Sequence, residues 1–249
     1  MVPWVVTREA GDAAPLLSAL RERGVDARSI PAIERRPLPW PDVVRGHEDS
    51  AMFFLTSPYA ARLTLAHLHA NALDARVFQF AAIAPATVAV LRAASLQADV
   101  HCAGGSIALA RAVDGGARGR SEILYPTSDV GLDSPEQNEA AGILARAHSV
   151  RRFAIYCTND AHDLVPAIRA LASPYCVVFH SPSAVDAFGR ALADGAPPPI
   201  FAACVGESTL RAHQKMRVAA ACALVPRGVD VADFAFAYPH ILTKAPEIA

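Results

Sequence analysis

The segment FLTSPYAA at residues 54–61 has a close counterpart in FHSPSAV at residues 179–185. Each copy begins at the end of an apolar run, residues 51–55 or 175–179. Such a run is typical of a strand buried on both faces. The serine that follows is a good helix N-cap, and proline fits the first helical position because its missing N–H would have no partner there. Each copy therefore predicts a buried strand that leads directly into a helix.

The similarity continues downstream of both copies. In each, a second apolar strand, predicted at residues 77–83 or 200–205, leads to a threonine at the start of the next helix. Thr87 lies 30 residues after Ser57, and Thr209 lies 28 residues after Ser181. Repetition on this scale predicts a duplicated α/β architecture.

The repeat is permuted along the chain. Residues 4–30 predict a strand, a helix from Leu16 to Arg23 and a second strand, and residues 123–156 predict the same order of elements. We pair residues 4–30 with the serine-proline copy at 179–185, and residues 123–156 with the copy at 54–61. Each half then holds five parallel strands with helices between them. We therefore expect two flavodoxin-like α/β domains, the first of them discontinuous. Their predicted bounds are 1–35 with 157–249 for the first domain and 38–155 for the second, with crossings near 33–39 and 156–163.

Composition excludes several classes of protein. With 53% hydrophobic and 19% charged residues, the 249-residue chain is not disordered, and its net charge of −1 argues against a nucleic-acid partner. No apolar run reaches the roughly 18 residues that span a bilayer, and Arg8 and Glu9 interrupt any secretory signal. The 5 scattered cysteines lack a C-x-x-C pair, so we expect no metal site and a reducing, cytoplasmic location.

Nucleotide and hydrolase signatures are absent. The chain has no G-x-G-x-x-G, no P-loop and no G-x-S-x-G elbow. The serines of the two Ser-Pro pairs are therefore interpreted as caps and not as nucleophiles. The glycines before Ser106 are interpreted as a turn and helix start.

Hydroxyl side chains gather where the predicted strands end. Ligands of open parallel sheets bind beyond those ends, and helix N-termini present free N–H groups that suit anions. A ligand with several carboxylates is therefore expected in a cleft between the two domains. Taken singly, any one of these hydroxyls is better explained as a helix cap, and it is their repetition in both halves that favours a binding site. The hydroxyls concerned are Thr7, Thr56, Ser57, Thr87, Ser106, Thr127, Ser128, Ser181, Ser183, Ser208 and Thr209.

These residues carry a resemblance to a known family. Over roughly residues 2–235, the chain resembles the uroporphyrinogen-III synthases in the order and spacing of its motifs. That family has two α/β domains joined by a two-stranded connector, the first domain being discontinuous. The matching motifs are Thr7-Arg8, Phe54-Leu55-Thr56-Ser57-Pro58, Ala82-Ile83-Ala84-Pro85-Ala86-Thr87, Leu124-Tyr125-Pro126, Tyr156-Cys157-Thr158, Val178-Phe179-His180-Ser181-Pro182-Ser183-Ala184 and Cys204-Val205-Gly206-Glu207-Ser208-Thr209.

The resemblance implies a cofactor-independent lyase of tetrapyrrole biosynthesis that acts on a small molecule. We expect the protein to be a monomer. Its substrate would be hydroxymethylbilane, a linear tetrapyrrole rich in carboxylates. The family expels the terminal hydroxyl as water, inverts ring D through a spiro intermediate and closes the macrocycle as the III isomer. Such catalysis depends on orientation and electrostatics.

Residue roles follow from the same resemblance. Tyr156 matches the connector tyrosine that assists departure of the hydroxyl, although a packing role fits the same residue. Thr87 and Thr209, with Ser57 and Ser181, match residues that bind substrate carboxylates. The predicted binding set is completed by Thr7, Arg8, Thr56, Ser106, Thr158, Ser183 and Ser208, with a solvated surface arginine as the alternative for Arg8.

The chain departs from the family pattern at three places. Ala84 stands where glycine is usual, Glu207 stands where proline is usual, and an acidic stretch at residues 133–139 replaces a segment that is often basic. Two alternatives therefore stay open. One is a catalytically weak homologue that binds tetrapyrroles or small anions, and the other is an unrelated two-domain binder of small anions.

Overall fold

The structure is a computed structural model that describes residues 2–44, 51–116, 121–171, 174–226 and 228–242. Strands and helices alternate along most of the chain. The strands are β1 (Trp4–Val6), β2 (Ala27–Ser29), β3 (Ile33–Pro37), β4 (Ala51–Leu55), β5 (Gln79–Ile83), β6 (Val100–Cys102), β7 (Glu122–Ser128), β8 (Ser149–Asp160), β9 (Cys176–Phe179), β10 (Phe201–Cys204) and β11 (Ala221–Leu224). The helices are α1 (Ala10–Glu22), α2 (Pro58–Ala70), α3 (Ala86–Ala93), α4 (Ser106–Gly116), α5 (Asp129–Leu132), α6 (Pro135–Leu144), α7 (Leu164–Arg169), α8 (Pro182–Ala193), α9 (Glu207–Met216) and α10 (Val231–Leu242).

The chain divides into two compact units. The first unit combines the residues up to Glu34 with those from Asn159 onward, and the second holds Arg35–Thr158. In the described ranges, no helix has both the length and the apolar character needed to cross a membrane.

The first unit is built on a five-stranded sheet with the order β11-β10-β9-β1-β2. All of its paired strands run parallel. Counted along the chain, the order is that of a flavodoxin-like doubly wound sheet. The centre of the sheet is fully buried, since every residue of β1, β9 and β10 lies in the core.

The second unit is built on a six-stranded sheet with the order β3-β8-β7-β4-β5-β6. Its strands β4 to β8 pair in parallel. They repeat the spatial arrangement of the first unit if β4 is superposed on β9 and β7 on β1. The expected α/β class with parallel sheets is confirmed, and the strand order follows the permutation that the sequence predicts.

Side chains along the central strands alternate between two cores. In β4, Phe53 and Leu55 pack on one face of the sheet, and Met52 and Phe54 pack on the other. In β1, Val5 faces one core while its two neighbours face the second. This alternation follows from the period of two in an extended strand. Helices therefore cover both faces of each sheet, and the strand ends are where polar residues collect.

The sixth strand of the second unit differs from the other five. β3 lies beside β8 at the edge of the sheet. The N–H of Leu38 donates to the carbonyl of Ile155 (2.9 Å), and the N–H of Ala161 donates to the carbonyl of Ala32 (3.1 Å). Residue numbers fall on one strand as they rise on the other, so this pair is antiparallel. β8 reaches Asp160, beyond the predicted end at Tyr156, because its last residues pair with β3.

Two further elements begin elsewhere than the sequence predicts. Helix α1 begins at Ala10 and contains Pro15, whereas a helix from Leu16 was expected. Burial of Ala13 and Leu17 on one face of α1 stabilises the extra turn in spite of the proline. The predicted strand 77–83 begins only at Gln79, because Ala75–Val77 form a short 3₁₀ helix capped by the carboxylate of Asp74.

Candidate functional site

Each sheet has one topological switch point, where the connections that follow two adjacent strands run to opposite sides along the sheet. In the first unit this switch point lies between β1 and β9, which continue to β2 and β10 on opposite sides. In the second unit it lies between β4 and β7. Crevices beyond the carboxyl ends at a switch point are the usual ligand sites of such sheets. Nearly all of the predicted site residues follow strand ends at or beside these two places.

The two Ser-Pro serines cap the helices that leave the switch points. The hydroxyl oxygen of Ser57 accepts from the N–H of Ala60 (3.1 Å), and that of Ser181 accepts from the N–H of Ala184 (3.3 Å). The prediction that these serines are caps is confirmed. A hydroxyl that accepts one hydrogen bond still carries its own proton. Both half-buried serines can therefore cap a helix and donate to an anion at the same time.

Two predicted threonines have their proton already engaged. Thr7 donates its hydroxyl proton to the carbonyl of Val178 at 2.8 Å, and Thr209 donates to the carbonyl of Val205 at 3.1 Å. Both are buried, with exposures of 3% and 1%. A hydroxyl has only one proton to donate. Because both side chains donate theirs to a backbone carbonyl, neither offers a donor to a ligand.

The remaining residues of the first unit differ in exposure. Arg8, Ser183 and Ser208 are half-buried, and the Ser183 hydroxyl lies 3.4 Å from that of Ser181. Glu207 occupies the first turn of α9, so a carboxylate lies where the helix N-terminus was expected to receive an anion.

His180 stands between β9 and the cap of α8. It occupies the position that Thr56 holds in the second unit. Its Nδ1 is buried without a hydrogen-bond partner among the described residues. Burial, and to a smaller extent the charge of Arg8, lower the pKa of His180 to about 3. The ring is therefore neutral at physiological pH.

In the second unit, the predicted donor at Ser106 is in contact with a carboxylate of the protein itself. Glu136 Oε1 accepts from the backbone N–H of Ser106 (3.2 Å) and from its hydroxyl (3.1 Å). The Ser106 side chain is 4% exposed at the first residue of α4. The N-terminus of α4 therefore binds an anion, as its geometry predicts, but that anion belongs to the chain.

Tyr125 is a polar group within the same core. Its side chain is fully buried in β7, and its hydroxyl has no hydrogen-bond partner of ordinary geometry in the described residues. Burial raises the pKa of Tyr125 above its usual value, and the nearby hydroxyl of Thr56 opposes this only in part. The phenol is therefore a protonated donor directed toward the strand ends.

A second internal carboxylate lies at the end of β7. Asp129 Oδ1 accepts from the N–H of Thr158 (3.0 Å) and from that of Val130 (2.7 Å). Ser128 caps the same short helix through the N–H of Gly131 (3.0 Å). The backbone donor of Thr158 is thus already satisfied in this structure. Thr87, the second residue of α3, is 2% exposed.

Tyr156 lies in β8 and packs against aromatic neighbours. Its ring meets Tyr59 edge to face, with centroids 4.8 Å apart, and the residue is 9% exposed. The guanidinium of Arg35 covers the ring of Tyr59 at 4.4 Å. No hydrogen bond joins the Tyr156 hydroxyl to another described residue. This packing holds the ring in place and leaves the hydroxyl proton available.

Sequence reasoning missed Glu136, Tyr125 and His180. For His180 a signal was present, because a titratable residue replaces Thr56 in the second copy of the repeat. For Glu136 there was only the acidic stretch, and nothing in it indicated Ser106 as a partner. Within the described ranges, no cluster of His, Cys, Asp and Glu side chains could hold a metal ion.

Comparison with known proteins identifies the family. The model of the uroporphyrinogen-III synthase HemD family matches residues 14–228. No curated protein matches the sequence. A mutant uroporphyrinogen III synthase from Thermus thermophilus is similar over 98% of this chain and 100% of its own, with a TM-score of 0.66 at 16% identity. The Helicobacter pylori uroporphyrinogen-III synthetase is similar over 96% and 100%, with a TM-score of 0.59 at 13% identity.

These structures establish the likeness of fold, and the family model spans most of the chain. On that match, the chain belongs to the uroporphyrinogen-III synthase family, whose enzymes act in tetrapyrrole biosynthesis.

Proposed function

We propose that the protein is a uroporphyrinogen-III synthase that cyclises hydroxymethylbilane to uroporphyrinogen III, with inversion of ring D and loss of water. The reaction needs no cofactor in this proposal, because the enzyme's task is to fold a reactive chain before it closes spontaneously. The protein must favour one of two competing ring closures, and about 1.4 kcal/mol of difference between their barriers corresponds to each tenfold of preference.

One observation supports the binding role most directly. Ser57 and Ser181 cap helices at equivalent switch points, and each acts as an acceptor in its cap, so the cap does not use its hydroxyl proton. A carboxylate at either place would accept a hydrogen bond from the serine hydroxyl and lie near the positive end of a helix. The substrate carries carboxylates on every pyrrole ring, so binding several of them at once fixes the conformation of the chain.

Tyr156 is the residue we propose for chemistry. A phenol O–H can donate a hydrogen bond to the departing hydroxide without adding negative charge beside the carboxylates. The packing of its ring against Tyr59 supports this role, because a fixed ring positions the donor. The half-buried Arg8, Thr56, Ser183 and Ser208 are proposed as further carboxylate contacts.

A second candidate is a catalytically weak homologue that binds tetrapyrroles or small anions. The observation that favours it is the number of internal carboxylates at donor positions. Glu136 engages Ser106, Asp129 engages Thr158, and Glu207 begins α9. Each of these would repel a ligand carboxylate at the same place.

Isomer analysis separates the two candidates. The protein is incubated with freshly generated hydroxymethylbilane, the product is oxidised, and the porphyrin isomers are separated. A synthase yields the III isomer faster than spontaneous closure yields the I isomer. Isomer I alone, at the rate of the protein-free control, would refute the enzyme assignment and leave the binding role.

A further inference from the structure

The first turn of α4 and the carboxylate of Glu136 form a closely fitted pair. Both donors of Ser106, the N–H and the hydroxyl, point to the same oxygen, at 3.2 and 3.1 Å. Gly105 makes this approach possible, because a Cβ there would lie 2.4 Å from Glu136 Oε1. The site is therefore shaped for a carboxylate oxygen lying against the backbone.

A third donor faces the site without a partner. The phenol of Tyr125 is fully buried, and its hydroxyl forms no hydrogen bond of ordinary geometry with the described residues. The hydroxyls of Thr56 and Ser106, the guanidinium of Arg152 and the carboxylate of Glu136 are the polar groups near it. A buried donor with nothing to bind is unusual in a folded protein. The unsatisfied phenol is explained if the site accepts a ligand group that reaches the Tyr125 hydroxyl, which the carboxylate of Glu136 does not.

Glu136 itself is held by few interactions. In the described part of the chain its hydrogen bonds come from Ser106 alone, and no Lys or Arg there forms an ion pair with it. Arg152 in β8 donates instead to the carbonyl of Leu132 and to Asn138 Oδ1, the latter at 2.6 Å. A carboxylate without a cation can be exchanged for another carboxylate at little electrostatic cost.

We propose that the N-terminus of α4 is a carboxylate-binding site, and that Glu136 occupies it until a carboxylate of the ligand displaces it. The identity of that ligand, an acidic linear tetrapyrrole, rests on the proposed function. The incoming carboxylate takes the two Ser106 donors and adds the phenol of Tyr125. Glu136 thereby sets how tightly the site binds ligand.

Chemical rescue with a small carboxylate tests the site without any turnover. The variant Glu136→Ala loses the internal carboxylate and is expected to melt below the wild type. Sodium acetate at several hundred millimolar, compared with sodium chloride at equal ionic strength, should restore about half of that loss or more. The matched control is Glu139→Ala, which removes an exposed carboxylate from the same helix. Equal acetate shifts in both variants and the wild type would overturn the proposal.

The Ser106 amide provides a direct readout. Its NMR resonance should move in Glu136→Ala and return toward the wild-type position as acetate is added, and a resonance insensitive to acetate contradicts the site. Glu136→Gln keeps an acceptor oxygen and the fold, and should lower the KM for hydroxymethylbilane at least about threefold, since a neutral acceptor competes less strongly. An unchanged or higher KM counts against displacement. Failure of the synthase assignment appears separately, as a wild type that gives no III isomer while acetate rescue persists.

Discussion

Replacing Ser181 with alanine and Thr209 with valine removes one hydroxyl from each of two helix starts in the first unit. The structure predicts different consequences for the two variants. Ser181 accepts from the N–H of Ala184, and the only other described partner of its hydroxyl is that of Ser183 at 3.4 Å, where either oxygen can be the donor. Thr209 instead gives its proton to the carbonyl of Val205. Only the first hydroxyl is therefore available to a ligand. Both variants should lose stability, but only Ser181→Ala should lose substrate binding.

The magnitudes follow from these hydrogen bonds. Loss of the cap costs about 1 kcal/mol, which lowers the melting temperature by roughly 2–4 °C in a protein of this size. Loss of a donor to a carboxylate costs about 1.5–3 kcal/mol, so kcat/KM for Ser181→Ala should fall roughly 10- to 160-fold. Thr209→Val removes a neutral hydrogen bond worth about 0.5–1.5 kcal/mol and should leave KM unchanged.

The assay pairs thermal unfolding with initial rates on freshly generated hydroxymethylbilane. Ser181→Gly serves as the control, because glycine at an N-cap costs only a few tenths of a kcal/mol and still removes the donor. It should retain the melting temperature and reproduce the kinetic loss. If Thr209→Val raises KM as much as Ser181→Ala does, the reasoning from proton availability is wrong.

Three further predictions concern single side chains. Tyr156→Phe should lower kcat by about one to two orders of magnitude with little change in melting temperature, as loss of a general-acid donor does; wild-type turnover would assign the residue to packing. Tyr125→Phe should leave the melting temperature unchanged or raise it, because its hydroxyl is buried without a partner, and a clear drop in a thermal scan would contradict this. His180 has a folded pKa of about 3 against an unfolded value near 6.5, so between these values the unfolded chain binds the extra proton and stability falls as pH falls. Denaturant titrations give the free energy of unfolding, which for His180→Gln should change with pH less steeply than for the wild type, by up to about 1.4 kcal/mol per pH unit in that window. A variant of an exposed histidine, His101→Gln, is the control.

Much of the fold could be predicted because its signals are local. The apolar run that ends in Ser57 and Pro58 specifies a buried strand, a cap and a helix start within a few residues, and the second copy around Ser181 repeats them. The permuted repeat then orders the strands. The start of α1 could not be predicted in this way, since burial of Ala13 and Leu17 against the rest of the first unit outweighs the signal from Pro15.

The candidate site could be predicted by residue type and not by chemical state. The sequence by itself determined that hydroxyls follow the strand ends and that helix N-termini begin there, because capping depends on neighbours three residues away. Only the tertiary structure decided which hydroxyls keep a proton to donate. Thr7 gives its proton to a carbonyl 171 positions away, and Ser106 gives its own to a carboxylate 30 positions away. A hydroxyl has one proton, and the acceptor that takes it is chosen by which distant strand or helix the fold brings alongside.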